Sequence, residues 1–405
     1  MELSYYTNFS NTITAQEAQI STLQQQISTG LAVQTPDQNP SAYETGALGT
    51  DQVNQLNNDN STQASVQAQL GSVSDAYTST SNLLDNVQAI IEEALNGTTN
   101  MQDMSGLAVQ VQSAQQQMLS IANSTGADGS YLFGGSRSGL EPFQQDANGN
   151  IAYYGDGGTS QASISQDETV GAIANGDAFV SGLAGDGISY VTASSSNTGS
   201  GQIIQQGVVN ASAANSFQQG NSPITVSFAT SGTGVTYTAT QGGSTIATDP
   251  VSPDSAGNTT VQMDGVDYAI TGTPGNGDSF TISPSRPQSV FSLLNTVYTA
   301  LDTAGSTPAQ VAQTDEILNQ SLATLEQYQQ NITTAQAQTG VTLQAISTAS
   351  ASNTNQSSQD QTTVNNAVAV NTPAAMTELD DTLTSLQAAM KTFGTVQSLS
   401  LFNYL

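Results

Sequence analysis

The segment MTELDDTLTSLQAAMKTFGTVQSLSLFNYL, residues 376–405, decides the fold class of this chain. Its apolar residues recur after three and four positions, a spacing that places them along one seam of a helix. A matching stripe lies at the opposite end of the chain. Helices with such narrow seams cannot bury them alone, so each needs the other or a neighbouring subunit. The seams consist of Met376, Leu379, Leu383, Leu386, Met390 and Phe393 at one end and of Phe9, Ile13, Ile20, Leu23 and Ile27 at the other.

The two seams predict a surface for assembly rather than for catalysis. A coiled coil that forms only within the chain is the alternative interpretation, since it would bury the same residues without a second subunit. We predict an assembly interface made of Phe9, Ile13, Ile20, Leu23, Ile27, Leu379, Leu383, Leu386, Met390 and Phe393.

Helical periodicity continues inward from both ends, whereas the middle of the chain changes character. From about residue 134 to residue 287, Gly, Ser, Thr, Asn and Asp dominate, and apolar and polar residues alternate in short runs. Such alternation predicts β-strands. The helical segments lie at 66–91, 104–121, 290–301 and 318–346, and the clearest strands are ITVSFAT (224–230), VTYTAT (235–240) and TTVQMDG (259–265).

These patterns predict an α+β fold in which the N- and C-terminal regions form a long antiparallel helical rod. The central region is expected to be an all-β insertion that projects outward. We divide the chain into an inner domain of terminal helices, a helical rod domain and an outer β-rich domain of one lobe or of two that separate near residue 200. Their bounds are 1–44 with 370–405, 45–137 with 288–369, and 138–287.

The charge composition excludes several classes of function. The 405 residues include three basic ones, 32 acidic ones, no histidine and no cysteine, for a formal net charge of −29. Nucleic acid and anionic membranes are recognised through Lys and Arg, so we expect neither partner. Zinc, haem and iron–sulfur centres usually need Cys or His, and so do activated Ser or Cys nucleophiles.

The scarcity of basic residues also predicts a fold that tolerates acid. When every carboxylate is protonated, the positive charge cannot exceed about four, so the repulsion that unfolds many proteins in acid stays small. Our hypothesis is a protein that works outside the cell in an acidic habitat; drift toward uncharged residues in an exported protein is the alternative. The first residues show no Sec-type signal and no apolar run reaches 18 residues, so we expect neither a membrane span nor Sec export.

Several polar motifs admit a chemical interpretation, and each has a structural one that we prefer. DANGN (146–150) resembles part of a calcium loop but lacks the later Glu, and it fits a hairpin turn. The acidic pairs at 92–93 and 380–381 point about 100° apart on a helix, so neither pair can flank one bond. The glycosylation sequons at 96–98 and 123–125 fit helix ends. We therefore predict no catalytic, cofactor-binding or metal-binding residue.

Short motifs along most of the chain carry a family resemblance. They are QQQISTGLAVQTPDQNPSA (24–42), ALNGTT (94–99), GSYLFGG (129–135), ITGTPGNGDSFTISPS (270–285), QSVFSLLNTVYTAL (288–301) and SLFNYL (400–405). These segments resemble the bacterial flagellin and hook-associated protein family. The chain departs from the family where that family has Lys-Arg and Asp-Asp pairs, because Leu31-Ala32 and Gln38-Asn39 stand there. Ion pairs at those positions cannot be assumed.

The resemblance implies a structural role, a location and a set of partners. Members of the family pass unfolded through the flagellar type III export channel without a cleaved Sec signal, and fold at the growing tip. Similarity to the hook–filament junction members implies an extracellular ring of identical subunits. Flagellin would lie on its distal side and a hook-side hook-associated protein on its proximal side. An export chaperone would cover the C-terminal helix before export.

Two other functions remain open. A flagellin-type subunit would polymerise indefinitely with itself, whereas a junction protein stops at one ring. A more remote alternative is a secreted carbohydrate-binding adhesin or enzyme centred on the β-rich region. Its site carboxylates would be Asp156, Asp177 and Asp186.

Overall fold

The computed structural model covers the chain apart from a few short segments. The last residues of the motifs ALNGTT and SLFNYL, and of the sequon at 96–98, fall in such segments and lie outside the described residues. The described residues are 2–96, 100–165, 168–232, 234–255 and 257–402.

Long helices lie toward both ends of the chain, and two of them exceed fifty residues. Each of the four helical segments predicted from the sequence falls inside one helix, so those predictions are confirmed. Within the described ranges, every helix is too short or too polar to cross a lipid bilayer. The helices are α1 (Glu2–Thr29), α2 (Pro40–Ala94), α3 (Met101–Ala122), α4 (Asp177–Val180), α5 (Ala211–Gln219), α6 (Val290–Asp302), α7 (Pro308–Val368) and α8 (Thr372–Phe402).

The central region forms short strands, which confirms the α+β class. The three strands predicted from alternation are present as β8, β9 and β11. The strands are β1 (Phe143–Gln145), β2 (Ile151–Tyr153), β3 (Gln161–Ser163), β4 (Thr169–Gly171), β5 (Gly182–Leu183), β6 (Ser189–Ala193), β7 (Gln202–Val208), β8 (Ile224–Ser231), β9 (Gly234–Gln241), β10 (Ser244–Pro250), β11 (Thr259–Met263), β12 (Val266–Thr271), β13 (Ser279–Pro284) and β14 (Pro287–Gln288).

Two antiparallel sheets and three strand pairs organise this region. The larger sheet has the order β10-β9-β8-β13-β6, and the smaller has the order β11-β12-β7. Their shared core includes Phe228 and Phe280, whose rings meet edge to face with centroids 5.9 Å apart. The remaining pairs are β1-β2, β3-β4 and β5-β14. Because β6 and β10 end the larger sheet, each presents one unpaired backbone edge.

The sequence predicts an all-β central region, but the structure also has a helix there. Helix α5 lies within it and buries Ala214 and Phe217. The Asn210 side chain caps this helix by accepting a hydrogen bond from the Ala213 N–H at 3.2 Å. With nine residues, this helix is too short to show in its sequence an apolar stripe that repeats over several turns.

The chain separates into two compact units. The first comprises Met1–Gln63, Ile164–Asp167 and Ser347–Leu405, and the second comprises Ala64–Ser163 and Glu168–Ile346. The division into three domains made from the sequence stays a prediction.

Candidate assembly interface

A polar turn brings the chain from α1 to α2 within the first unit. Gly30 ends α1 at a φ of +75°, a conformation that favours glycine. At the start of α2, the Asn39 side chain accepts a hydrogen bond from the Ala42 N–H at 3.2 Å, and Pro40 occupies the first helical position. These are the Gly and Pro positions that the family motif in this segment shares. The motif therefore matches the ends of two helices.

Helices α1 and α8 pack against each other in opposite directions. The Phe9 and Phe393 rings stack with centroids 4.5 Å apart and planes 5° apart. At the other end of the pair, the Val370 N–H donates to the Gly30 carbonyl at 2.9 Å. Residue numbers therefore fall along α8 as they rise along α1, which defines an antiparallel pair.

Polar side chains add to this pairing between the two ends. The Gln16 Nε2 donates to the Ser385 hydroxyl at 3.0 Å, and the Gln19 Nε2 donates to a Glu378 carboxylate oxygen at 2.8 Å. These contacts lie beside the apolar seam and fix its register. Because three of the four groups are uncharged, salt will screen the pairing only weakly.

The predicted assembly residues differ in how far the intrachain pair covers them. Ile20 and Leu23 are buried, whereas Met390 stays 57% exposed. Met376, which shares the predicted seam, is 54% exposed. The intrachain contact therefore uses part of the predicted seam and leaves two methionines on the surface. The residues of intermediate exposure are Phe9, Ile13, Ile27, Leu379, Leu383, Leu386 and Phe393.

Two buried positions of α8 are missing from the sequence prediction. Ala375 and Thr382 are buried, and they continue the spacing of three and four through Leu379 and Leu386. The Thr382 hydroxyl donates to the Glu378 carbonyl at 2.7 Å, so its polar atom is satisfied within the helix. This buried stripe is also present in the sequence. The stripe one position further along contains Met376, Leu383 and Met390 and is more apolar, so the sequence predicts that one.

Close packing of α2 on α7 completes the first unit. A Cβ atom added at Gly46 would lie 2.6 Å from a Val368 methyl, and one at Gly49 would lie 2.5 Å from a Val364 methyl. Real side chains do not approach this closely. The two glycines therefore make room for the valine side chains of α7, and a larger residue would push the two helices apart.

The polar motifs weighed in the sequence serve the fold. The Asp146 carboxylate accepts hydrogen bonds from the Asn148 and Asn150 N–H groups, each at 2.8 Å, inside the β1-β2 hairpin. The Asn150 side-chain amide, which also donates to this carboxylate, and the two backbone N–H groups lower the pKa of Asp146. Asn123 caps α3 and exchanges hydrogen bonds with the backbone of Phe143. Both motifs thus have the structural roles that the sequence analysis prefers.

The three candidate site carboxylates are held in turns of their own. Asp156 binds the Ser136 hydroxyl and amide, and these bonds lower its pKa, with a smaller contribution from Arg137 at 3.9 Å. Asp177 accepts a hydrogen bond from the Asn175 amide. Asp186 accepts from the Ile188 and Ser189 N–H groups, and burial raises its pKa. Within the described residues, no group of three or more His, Cys, Asp or Glu side chains could hold a metal ion.

Comparisons with known proteins identify relatives of the N-terminal part and of the fold. The bacterial flagellin N-terminal helical region matches residues 2–138. Flagellar hook-associated protein 3 of Salmonella typhimurium is 30% identical over 155 residues, which are 38% of this chain and 47% of that protein. The match thus spans about half the length of this curated relative.

Solved structures show the same fold. FlgL of Xanthomonas campestris has a TM-score of 0.69 at 26% identity and covers 78% of this chain and 97% of its own. Flagellar hook-associated protein 3 of Legionella pneumophila has a TM-score of 0.71 at 23% identity and covers 79% of this chain and 98% of its own.

The chain thus has the fold of these solved structures, and its residues 2–138 match the N-terminal helical region of bacterial flagellins. Within that class, the resemblance to flagellar hook-associated protein 3 is confirmed by sequence and by structure. Motifs such as YLFGG and GTPGNGDSF, read from the sequence alone, indicate the same relatives.

Proposed function

We propose that this chain is a structural component of the bacterial flagellum and forms the junction ring between the hook side and the flagellin filament. The observation that carries the proposal is the antiparallel α1–α8 pair in a chain similar to flagellar hook-associated protein 3. Its work is geometric: identical subunits meet through their terminal helices, and unlike neighbours meet above and below. The ten predicted seam residues are the proposed interface, and the three sequence-defined domains are its proposed framework.

The exposed part of the α8 seam supports an assembly role. Met376 and Met390 are apolar and lie on the predicted seam of α8, yet both are more than half exposed. Isolated exposed apolar side chains are common, but two on one stripe of a terminal helix suit burial by a second subunit. Leu383, midway between them, is partly exposed and would join them.

The proposal includes partners and a location. Flagellin lies on the distal side of the ring, and a hook-side hook-associated protein lies on the proximal side. Before export through the flagellar channel, a chaperone covers the C-terminal helix. The assembled ring is extracellular, and no step in this role is enzymatic.

A flagellin-type filament subunit is the second candidate, and deletion of the gene separates the two functions. Deletion cells would be imaged by electron microscopy, and their medium would be immunoblotted for flagellin. A junction protein predicts hooks without filaments and unpolymerised flagellin in the medium. Bare hooks with no flagellin in the medium would show that the chain is itself the filament subunit.

A double substitution tests the interface directly. Leu383→Asp with Leu386→Asp places two charges on the proposed seam and should abolish filament attachment while the β-rich region stays folded. Asp380→Asn with Asp381→Asn, on exposed positions of the same helix, is the control and should assemble normally. Normal filaments on cells that carry the Leu383 and Leu386 variant would contradict the assembly role of this seam.

A further inference from the structure

Helix α7 closes the open edge of strand β6 with a side chain. The Val191 N–H donates to the Gln320 Oε1 at 2.7 Å, and the Gln320 Nε2 donates to the Val191 carbonyl at 2.8 Å. Because β6 lies at the end of its sheet, these two backbone groups have no neighbouring strand. The amide of Gln320 therefore takes the place of a peptide group in an adjoining strand.

Further polar contacts continue along the same face of α7. The Thr324 hydroxyl and the Gln327 Nε2 both donate to the Gly185 carbonyl, at 3.2 and 2.8 Å. Toward the start of the helix, the Gln202 Nε2 donates to the Ala312 carbonyl at 2.9 Å. Residues spaced by three and four lie on one face of a helix. Helix α7 thus docks on the β-rich region through a row of neutral hydrogen bonds.

An acidic residue lies in the middle of this row. Glu316 is one helical turn before Gln320 and is only 3% exposed. No protein group in the described part of the chain donates to either of its carboxylate oxygens, and both oxygens are inaccessible to solvent. The side chain lies between two cavities of about 690 and 190 Å³. Gln205 also lines the smaller cavity, and its buried Nε2 has no acceptor among the described protein groups.

The charged and titratable groups around Glu316 do not neutralise it. Arg286 lines the larger cavity, but its guanidinium donates to the carbonyls of Gln218 and Gly220. Asp186 lines the smaller cavity, Tyr190 lines both, and Asp315 adjoins Glu316 on α7. The walls from α3, α6 and β7 are uncharged. Burial accordingly raises the pKa of Glu316 to about 8.

We propose that Glu316 is a proton-controlled latch between helix α7 and the edge of strand β6. The neutral acid can stay buried at the contact. The carboxylate needs hydration, which admits water between the two elements and breaks the Gln320–Val191 hydrogen bonds. A proton is the effector that this geometry suits, because both carboxylate oxygens are inaccessible to solvent and have no donor among the described protein groups. The latch does not depend on the proposed flagellar role.

Hydrogen exchange at the Val191 amide tests the latch in the full chain. Exchange would be followed from pH 6 to pH 9.5, and each rate would be divided by the intrinsic rate at that pH. In the unsubstituted protein, protection should fall by at least about tenfold between pH 7 and pH 9.5. In Glu316→Gln, which is neutral at every pH, protection should stay constant. Glu326→Gln, at an exposed position of the same helix, is the control and should behave like the unsubstituted protein.

Two results would overturn the latch: constant protection in the unsubstituted protein, or the same fall in Glu316→Gln. If that variant does not fold, the carboxyl carbon shift of Glu316 can be titrated by NMR in the unsubstituted protein. A midpoint near 8 supports the latch. A midpoint near 4.5, the ordinary pKa of the group, refutes it.

Discussion

Gln38-Asn39 stands where the resemblance gives the family an Asp-Asp pair, and Gln38 takes part in a network of amide side chains. The Gln38 Oε1 accepts a hydrogen bond from the Gln34 N–H at 2.7 Å, and the Gln34 Nε2 donates to the Thr29 hydroxyl at 2.7 Å. A third amide, Gln25, donates to the Gln34 Oε1 at 2.7 Å. The turn between α1 and α2 is therefore held by neutral groups. Such bonds are individually worth about 1 kcal/mol and depend little on salt.

The stacked phenylalanine pair makes a residue-scale prediction. Phe393→Ala removes the ring that stacks on Phe9 and should lower the free energy of unfolding of the α1–α8 pair by about 1–3 kcal/mol. Met390→Ala on the exposed side of α8 should cost less than about 0.5 kcal/mol. Both losses can be measured by urea denaturation of the full chain, with hydrogen exchange in α1 as the readout. An equal loss in the two variants would contradict the seam described for α8.

At the scale of elements, the sequence predicts type well and register less well. Helix α3 ends at Ala122, directly before the sequon at 123–125 that the sequence assigns to a helix end. The face of α8 that is buried is harder to predict. The stripes through Ala375 and through Met376 follow the same spacing, and only packing against α1 selects the stripe through Ala375. The docking of Gln320 on Val191 joins residues 129 positions apart, and no local pattern reports it. The burial of Glu316 cannot be predicted either, because it also depends on residues far away in the sequence.

Two glycines of α2 make an element-scale prediction with opposite signs. Gly46→Ala places a Cβ 2.6 Å from Val368, so it should destabilise the chain by about 1–3 kcal/mol. Gly71→Ala, in the same helix, meets nothing within 4 Å and should stabilise by about 0.5–1 kcal/mol through helix propensity. Thermal unfolding of both variants measures the difference. Stabilisation by both substitutions would show that α2 and α7 do not approach as closely as described.

At the scale of the whole molecule, the pKa shifts predict that stability falls as pH rises. The folded pKa of Glu316, about 8, exceeds its ordinary value of 4.5, so its contribution is fully present below 4.5 and is lost as pH rises through 8. The loss approaches about 1.4 kcal/mol for each pH unit in that window. Asp146 and Asp156 act in the opposite direction, because their lowered pKa values stabilise the fold above about pH 4 and lose that effect in acid. Since Asp146 is exposed and the Asp156 side chain is 35% exposed, solvent screens both carboxylates and their effect is small.

Denaturation in urea at several pH values measures this dependence. The free energy of unfolding should be greater at pH 5 than at pH 9, and Glu316→Gln should remove most of the difference. The far-UV circular dichroism of the folded protein should persist at pH 4. Loss of that signal near pH 4 would contradict the acid tolerance inferred from composition.

The described residues contain a single ion pair, Arg137 with Asp156, and this scarcity determines how the protein responds to added salt. Among the described residues, sodium chloride therefore has one ion pair to weaken. It can also weaken the mutual repulsion of a chain with a net charge of −29. Raising ionic strength from 0.01 to 0.15 M shortens the Debye length from about 30 to about 8 Å. Added salt should therefore stabilise the folded chain and favour contact between its copies, the reverse of its effect on proteins joined by opposite charges.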